Sequence, residues 1–394
     1  MVITGGPGTG KSWTTAAIAD AWVARGKRIR LAAPTGKAAR RLQEATRRQA
    51  TTIHRLLEPT PSGVRADGSK KFAFQRDQFL PLDGDIFLLD ECSMVDTSLM
   101  AAFMSAVPSH ARVILVGDTH QLPPVGPGSP FRDILNAPCV PVVELTEVMR
   151  QAQKSDIVKA CHKMRAGNSE FSIYKDPTKS DFVFLEHEHE ESAVDAIVSL
   201  WTQGVGKLPQ FEGIDPMTSI QIISPTKKGE CGTPRLNEVI QQYRQLEKFD
   251  AKESRFRKGD RVIQCRNDYE LGITNGQMGT LIGMKKVGQR EMLELEVDDI
   301  DGKRIVEVPR FENDLDLGYA ITVHRFQGSE APVVILAFMG VPFPLMERAL
   351  VYTGVSRARK LCVVVGSKAD FYKAARRVNA GKRRTHLTDM LVEA

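Results

Sequence analysis

No two of the six cysteines, Cys92, Cys139, Cys161, Cys231, Cys265 and Cys362, form a C-x-x-C pair, which argues against a zinc ribbon. A disulfide framework is not expected in a chain of 394 residues without a secretory signal. Six free thiols in a reducing cytosol are the expectation. There is no run of about 18 apolar residues, so no membrane-spanning helix is expected. The opening residues, MVITGGPGTGKS, lack the basic start and the apolar stretch of an export signal. Internal repeats and low-complexity linkers are also missing, which sets aside repeat arrays.

What is present fits a globular protein of two or more domains. Hydrophobic residues make up 42% and charged residues 26%. The net charge of +6, from 54 basic and 48 acidic residues, is compatible with a polyanionic partner without demonstrating one. Arg40, Arg41, Arg47 and Arg48 crowd one early segment, and Arg376, Arg377, Lys382, Arg383 and Arg384 crowd the tail. Such clusters are more often solvated helix faces than nucleic-acid contacts.

Along the first half, strand-like and helix-like segments alternate. Residues 2–4 are a short apolar run, residues 11–25 carry apolar side chains at helical spacing, and Gly26 suits a C-cap. Residues 28–33 read as a strand and residues 36–48 as a helix behind Thr35 as N-cap. Residues 86–89 and 113–116 are continuous apolar runs of the kind found in buried parallel strands. Alternation of this kind predicts a parallel sheet with crossover helices. Residues 60–82 are polar and read as a small hairpin insert. A second alternating series starts near Phe182 and is interrupted at 259–309. There, period-2 runs and the Asn275-Gly276 turn signal predict a small all-β insert.

The strongest single motif is Gly5-Gly6-Pro7-Gly8-Thr9-Gly10-Lys11-Ser12. Its glycines let backbone amides turn toward phosphate oxygens. Lys11 supplies a point charge for the β- and γ-phosphates, and the Ser12 hydroxyl is placed to ligate Mg²⁺. A following helix adds its positive N-terminal end. The run Ile86-Phe87-Leu88-Leu89 ends in Asp90-Glu91, where Asp90 would hold Mg²⁺ and Glu91 would polarise an attacking water. Phosphoryl transfer also needs positive charge at the developing transition state. Arg150 and Arg357 are candidates, though by residue pattern alone each reads more readily as a surface arginine than as a catalytic one.

Taken in order, the motifs make the chain resemble the superfamily 1B DNA helicases, RecD-like helicases in particular, over essentially its whole length. The segments are GGPGTGKS at 5–12; Ala33-Pro34-Thr35-Gly36-Lys37-Ala38-Ala39; Thr52-Ile53-His54-Arg55-Leu56-Leu57; Asp90-Glu91-Cys92-Ser93-Met94; Gly117-Asp118-Thr119-His120-Gln121-Leu122-Pro123-Pro124-Val125; residues 145–151; Ser224-Pro225-Thr226-Lys227-Lys228-Gly229; Thr322-Val323-His324-Arg325-Phe326-Gln327-Gly328-Ser329-Glu330; and residues 351–359. The resemblance implies an α/β fold class: two RecA-like P-loop NTPase domains with parallel sheets and a small SH3-like insert. The first motor domain would span 1–149, with a pin hairpin at about 58–82. The second would span 150–258 and 310–394, and the SH3-like insert 259–309.

The resemblance also implies roles. Gln121 would sense the γ-phosphate. Arg150 and Arg357 would close on it from the second motor domain, with ATP bound between the two. Gln327, Gly328 and Glu330 would couple DNA to nucleotide, Glu330 near the ribose. Pro34, Thr35, Gly36, Lys37, Thr52 and His54 would touch single-stranded DNA from one motor domain, and Thr226, Lys227 and His324 from the other. Family members generally move 5′ to 3′ and carry, before the phosphate loop, a segment with an adenine-reading glutamine. Only Met1 to Thr4 precede Gly5 here, which puts base selectivity in doubt.

The expected activity is ATP- and Mg²⁺-dependent translocation on single-stranded DNA that unwinds forked duplexes, in the cytoplasm and away from membranes. Protein partners in replication, repair or recombination are compatible with it. One alternative is a motor subunit of a larger recombination or nuclease complex. Others are a DNA-binding relic with an impaired ATPase, and an unrelated P-loop ATPase acting on protein.

Overall fold

The computed structural model describes residues 1–64, 70–150, 152–168, 172, 174–247, 255–268, 270–299, 302–311, 314–378, 383 and 385–393. It divides into two compact units, residues 1–149 with 380–394, and residues 150–379.

The first unit begins with β1 (Val2–Gly5) and α1 (Lys11–Val23), then β2 (Ile29–Ala33), α2 (Gly36–Thr46), β3 (Ala50–Thr52) and the one-turn α3 (Ile53–Leu56). The insert is a hairpin of β4 (Pro59–Val64) and β5 (Lys70–Phe74). The chain returns through β6 (Ile86–Leu89), α4 (Thr97–Ala106), β7 (Arg112–Gly117), α5 (Pro130–Asn136) and β8 (Val142–Leu145). The six strands form one parallel sheet in the order β3-β2-β6-β7-β1-β8. The strands β1 and β6 are buried along their whole length. This is why they read as unbroken apolar runs rather than alternating ones.

The second unit contains α6 (Asp156–Arg165), β9 (Phe182–Glu186), α7 (Glu190–Ser199), α8 (Pro216–Ser219), β10 (Ile220–Ser224) and α9 (Thr233–Tyr243). Next come β11 (Arg261–Gln264), β12 (Met278–Val287), β13 (Arg290–Asp299), β14 (Gly302–Pro309) and β15 (Leu315–Leu317). The motor sheet resumes with β16 (Ala320–Thr322), β17 (Ala331–Phe338), α10 (Arg348–Val355), β18 (Ala358–Gly366) and α11 (Lys368–Arg376). Its parallel order is β16-β10-β17-β18-β9. The strands β14-β13-β12-β11-β15 make a separate antiparallel sheet with its own core around Leu281, Leu293, Leu295 and Val306.

Two expected boundaries move. The small sheet does not stop at 309: β15 pairs with β11, Leu317 opposite Val262, because the chain must re-enter the motor sheet beside its exit strand. The tail after 380 does not stay with the second unit. The last helix, α12 (Leu387–Glu393), belongs to the first. Arg383 donates to the carbonyls of Pro124, Gly126 and Gly128 at 2.5–2.6 Å, and Thr388 Oγ1 to Asp133 O at 3.0 Å. A guanidinium with fixed N–H directions is well matched to several carbonyls that the turn following residue 122 leaves without helix or sheet partners.

Candidate nucleotide and nucleic-acid sites

In a parallel α/β sheet, ligands bind beyond the carboxyl ends of the strands, where connections diverge. In the first unit that edge carries the candidate residues in a fixed sequence. Thr52 ends β3 and His54 follows it; Pro34, Thr35, Gly36 and Lys37 follow β2; Asp90 and Glu91 follow β6; Asp118 and Gln121 follow β7; the phosphate loop follows β1. The acid pair and Gln121 therefore stand between the loop and the candidate strand contacts.

The phosphate loop is held by its own backbone. Thr9 Oγ1 donates to Gly6 O at 2.8 Å, and Met149 N to Gly8 O at 2.9 Å. A Cβ at Gly5 would sit 2.6 Å from Thr9 Oγ1 and 3.1 Å from Leu145 O, so only glycine fits under the turn. Gly10, at φ 84°, ends the loop in the left-handed region and opens α1. Gly6, Pro7 and Gly8 complete the curve. Lys11 Nζ donates to Gly5 O at 2.7 Å and Gly6 O at 3.0 Å, which places the ammonium over the loop, and Ser12 follows it at the helix start.

Asp90 Oδ1 accepts from Glu91 N at 2.8 Å. Burial, reinforced by the neighbouring Glu91 charge, pushes the Asp90 carboxyl up to about 6, against the opposing pull of Lys11 and Arg41. A carboxylate held at that cost fits a divalent cation. Mg²⁺ takes one or two carboxylates together with phosphate oxygens and waters. Among the described residues no cluster of His, Cys, Asp or Glu could hold a metal alone, and Ser12 and Asp90 are the residues that would share one with phosphate. Glu91 adopts φ 53° and lies 3.9 Å from Arg41. Arg41, read from sequence only as part of a basic helix face, thus belongs to the site. Gln121 is 5% exposed, and its Oε1 has no hydrogen-bond partner among the described residues. Ser93 Oγ is in the same condition.

On the strand side of this edge, Thr35 Oγ1 caps α2 by accepting from Ala38 N at 3.2 Å. Thr52 Oγ1 caps α3 by accepting from Arg55 N at 3.1 Å. His54 lies 5.9 Å from Phe74 of the hairpin, and burial lowers its pKa, with Asp96 pulling the other way. It is therefore a neutral donor or acceptor near pH 7, not a cation.

The second unit divides its candidates between opposite ends of its sheet. Thr226 and Lys227 follow β10, and His324 follows its neighbour β16, where Ser224 lies opposite Thr322. Thr226 Oγ1 accepts from Lys228 N at 2.9 Å, Lys227 is exposed, and burial lowers the His324 pKa. The Glu190 carboxylate accepts from Glu230 N at 2.8 Å and so braces this loop, a role that its acidic neighbourhood in the sequence hid. Gly328, Glu330 and Arg357 lie at the starts of β17 and β18, where Ala331 is opposite Ala358. Glu330 pairs with Arg359 at 3.3 Å. Arg357 is 3% exposed; its guanidinium donates to Thr353 O and Ser329 O at 3.3 Å and to Ser356 Oγ at 3.4 Å. Arg150 is exposed. The two candidate arginines are thus in opposite environments, which no sequence pattern distinguished.

Known proteins share these features. Residues 1–180 match the AAA domain model, 235–298 the model of the ATP-dependent RecD-like DNA helicase SH3 domain, and 317–365 that of the UvrD-like helicase C-terminal domain. The chain is 38% identical over 380 residues to the ATP-dependent RecD2 DNA helicase of Deinococcus radiodurans, across 96% of this chain and 48% of that one. It is 28% identical to the RecBCD enzyme subunit RecD of Mycolicibacterium smegmatis, across 95% of this chain and 70% of that one. It therefore spans about half the length of the first relative. A Bacteroides Pif1 helicase, solved with ADP-AlF3 and single-stranded DNA, shares the fold at TM-score 0.55 and 19% identity, over 96% of this chain and 91% of that one. An AAA domain model and two helicase-type models are thus matched in order along the chain, which is similar to RecD-type DNA helicases.

Proposed function

We propose that the chain is an ATP-dependent DNA helicase motor that moves 5′ to 3′ on single-stranded DNA and unwinds forked duplexes in the cytoplasm. The observation that carries this reading is the order along the carboxyl edge of the first unit. Phosphate loop, Gln121, acid pair and candidate strand contacts succeed one another on the adjacent strands β1, β7, β6, β2 and β3. A change at the γ-phosphate then has a short mechanical route to DNA.

In this reading the residues 5–12 cradle the triphosphate. Mg²⁺, shared by Ser12, Asp90 and the phosphates, would neutralise their charge. Glu91 orients the attacking water and accepts its proton. The unpartnered Gln121 Oε1 takes a hydrogen bond from that water when nucleotide is bound and gives it up afterwards. Arg150 and Arg357 supply positive charge to the γ-phosphate during turnover. Arg357 must first exchange its carbonyl partners for phosphate oxygens. Gly328 and Glu330 flank the nucleotide, Glu330 toward the ribose. On the DNA side, Pro34, Thr35, Gly36, Lys37, Thr52, His54, Thr226, Lys227 and His324 bind the sugar-phosphate backbone. Such contacts give affinity without sequence preference.

The test is ATP turnover with and without a single-stranded oligonucleotide, followed by unwinding of forks tailed on the 5′ or the 3′ strand. Stimulation by DNA and preference for the 5′ tail are expected; a preference for the 3′ tail would overturn the polarity. The similarity to RecBCD subunits favours a second reading, in which this motor works inside a larger nuclease or recombination assembly. Robust unwinding by the purified chain alone would count against it.

A further inference from the structure

The helix behind the phosphate loop carries a side chain with no assigned role. Trp13 is 70% exposed, one residue beyond Ser12. The other tryptophans are accounted for. Trp22, on the same helix, has the guanidinium groups of Arg25 and Arg112 5.7 and 5.5 Å from its ring. Trp201 is 4% exposed and packs edge-on against Tyr319. No ring or cation contact to Trp13 is seen among the described residues. Leaving so large an apolar ring in water forfeits burial that folding would otherwise use.

Its position gives the reason. The first bond into the carbonyl of Gly10 comes from Thr14 N, at 2.9 Å. The amides of Lys11, Ser12 and Trp13 precede it and are those that a helix start leaves for an anion. Lys11 and Ser12 address the β- and γ-phosphates. The nucleotide continues from there toward its α-phosphate, ribose and base, past the amide of Trp13 and the indole attached to it. We propose that Trp13 forms one face of the nucleobase site and stacks on the base of the bound nucleotide. This rests on the reading of residues 5–12 as a nucleotide site. Stacking reads a ring by its π-face and not by its edge groups. The site defined by Trp13 thus accepts a nucleobase with weak discrimination between adenine and guanine.

The test uses intrinsic fluorescence of the full chain. MgADP is expected to shift and quench the tryptophan emission, whereas magnesium tripolyphosphate, which fills the phosphate cradle without a base, leaves it unchanged. Trp22→Phe should keep the ADP response and Trp13→Phe should lose it. By calorimetry, Trp13→Ala should weaken MgADP and MgGDP about tenfold, the scale of one base–aromatic stack, and leave tripolyphosphate binding as it was. Trp13→Phe should recover most of the difference. Thermal melts of the variants check that α1 is intact. Equal weakening of ADP and tripolyphosphate by Trp13→Ala would overturn the stacking role and leave the phosphate site standing. A response to a single-stranded oligonucleotide but not to ADP would overturn it too, assigning the ring to DNA. Failure of both ADP and tripolyphosphate to bind would remove the nucleotide site itself, and the proposal with it.

Discussion

The two motor sheets share a topology but treat their polar side chains in opposite ways. At the carboxyl edge of the first, chemistry-bearing groups are left wanting: Gln121 Oε1 and Ser93 Oγ have no partner, and Asp90 is held up to about 6 by burial beside Glu91. In the second, the comparable groups are spoken for. Arg357 is sealed among carbonyls, Glu330 pairs with Arg359, and Thr226 closes its own turn. An unsatisfied buried group costs about 1–3 kcal/mol. At the first edge a ligand can satisfy side-chain atoms that lack a partner among the described residues, whereas the candidate groups of the second must break contacts to take part.

This contrast is breakable by substitution, and the largest effect is expected at the loop. Lys11→Ala should lower ATP turnover at least about 100-fold while leaving the melting temperature within a few degrees. A variant that kept its DNA-stimulated turnover would end the motor reading. Next comes Arg357→Met. In a satisfied pocket it strands several acceptors, and unfolding by urea should show a loss of about 3 kcal/mol. A neutral result would mean that the second unit is not held together as described.

Asp90→Asn should do the reverse in the first unit. A carboxyl with a raised folded pKa contributes stability below its ordinary value of 3.8, and loses it as pH rises through about 6. The nucleotide-free Asn variant should thus be more stable than the parent at pH 7.5, on the order of 2 kcal/mol. The gain should vanish by pH 4, and a stability difference flat across that range would refute the assignment. Gln121→Met, which removes an unpartnered amide, should raise unfolding stability by about 1 kcal/mol and yet abolish stimulation of turnover by DNA. At the small end, Arg150→Ala changes an exposed side chain, so stability should move by less than about 0.5 kcal/mol while turnover falls.

Much of the first unit was legible in the sequence because its signals are local. A phosphate loop must be contiguous, and strands buried on both faces must be runs such as Ile86 to Leu89. The hairpin at β4 and β5 and the small β insert announced themselves by loss of helical period. What was not legible depends on long-range pairing. The burial of Arg357 depends on carbonyls from the turn at Ser329 and from α10. The reach of Arg41 toward Glu91 requires α2 to cross β2. The basic tail, read as solvated, is so only in part where described: Arg376 is exposed, but Arg383 serves three carbonyls, and Arg377 stacks 4.0 Å over Phe343. Lys382 and Arg384 fall outside the described residues. A charge run in a sequence states how many cations are present, not which of them already have acceptors.

The strap made by Arg383 and α12 has a consequence for the order of events in the cell. The first unit is discontinuous: its sheet is made first, but the segment that seals the loop after Gln121 is translated only after all of the second unit. At ordinary elongation rates the delay is on the order of tens of seconds. During that interval the loop carbonyls of Pro124, Gly126 and Gly128 face water or a chaperone. The edge with the candidate residues reaches its described form only once residues 150–379 have been made.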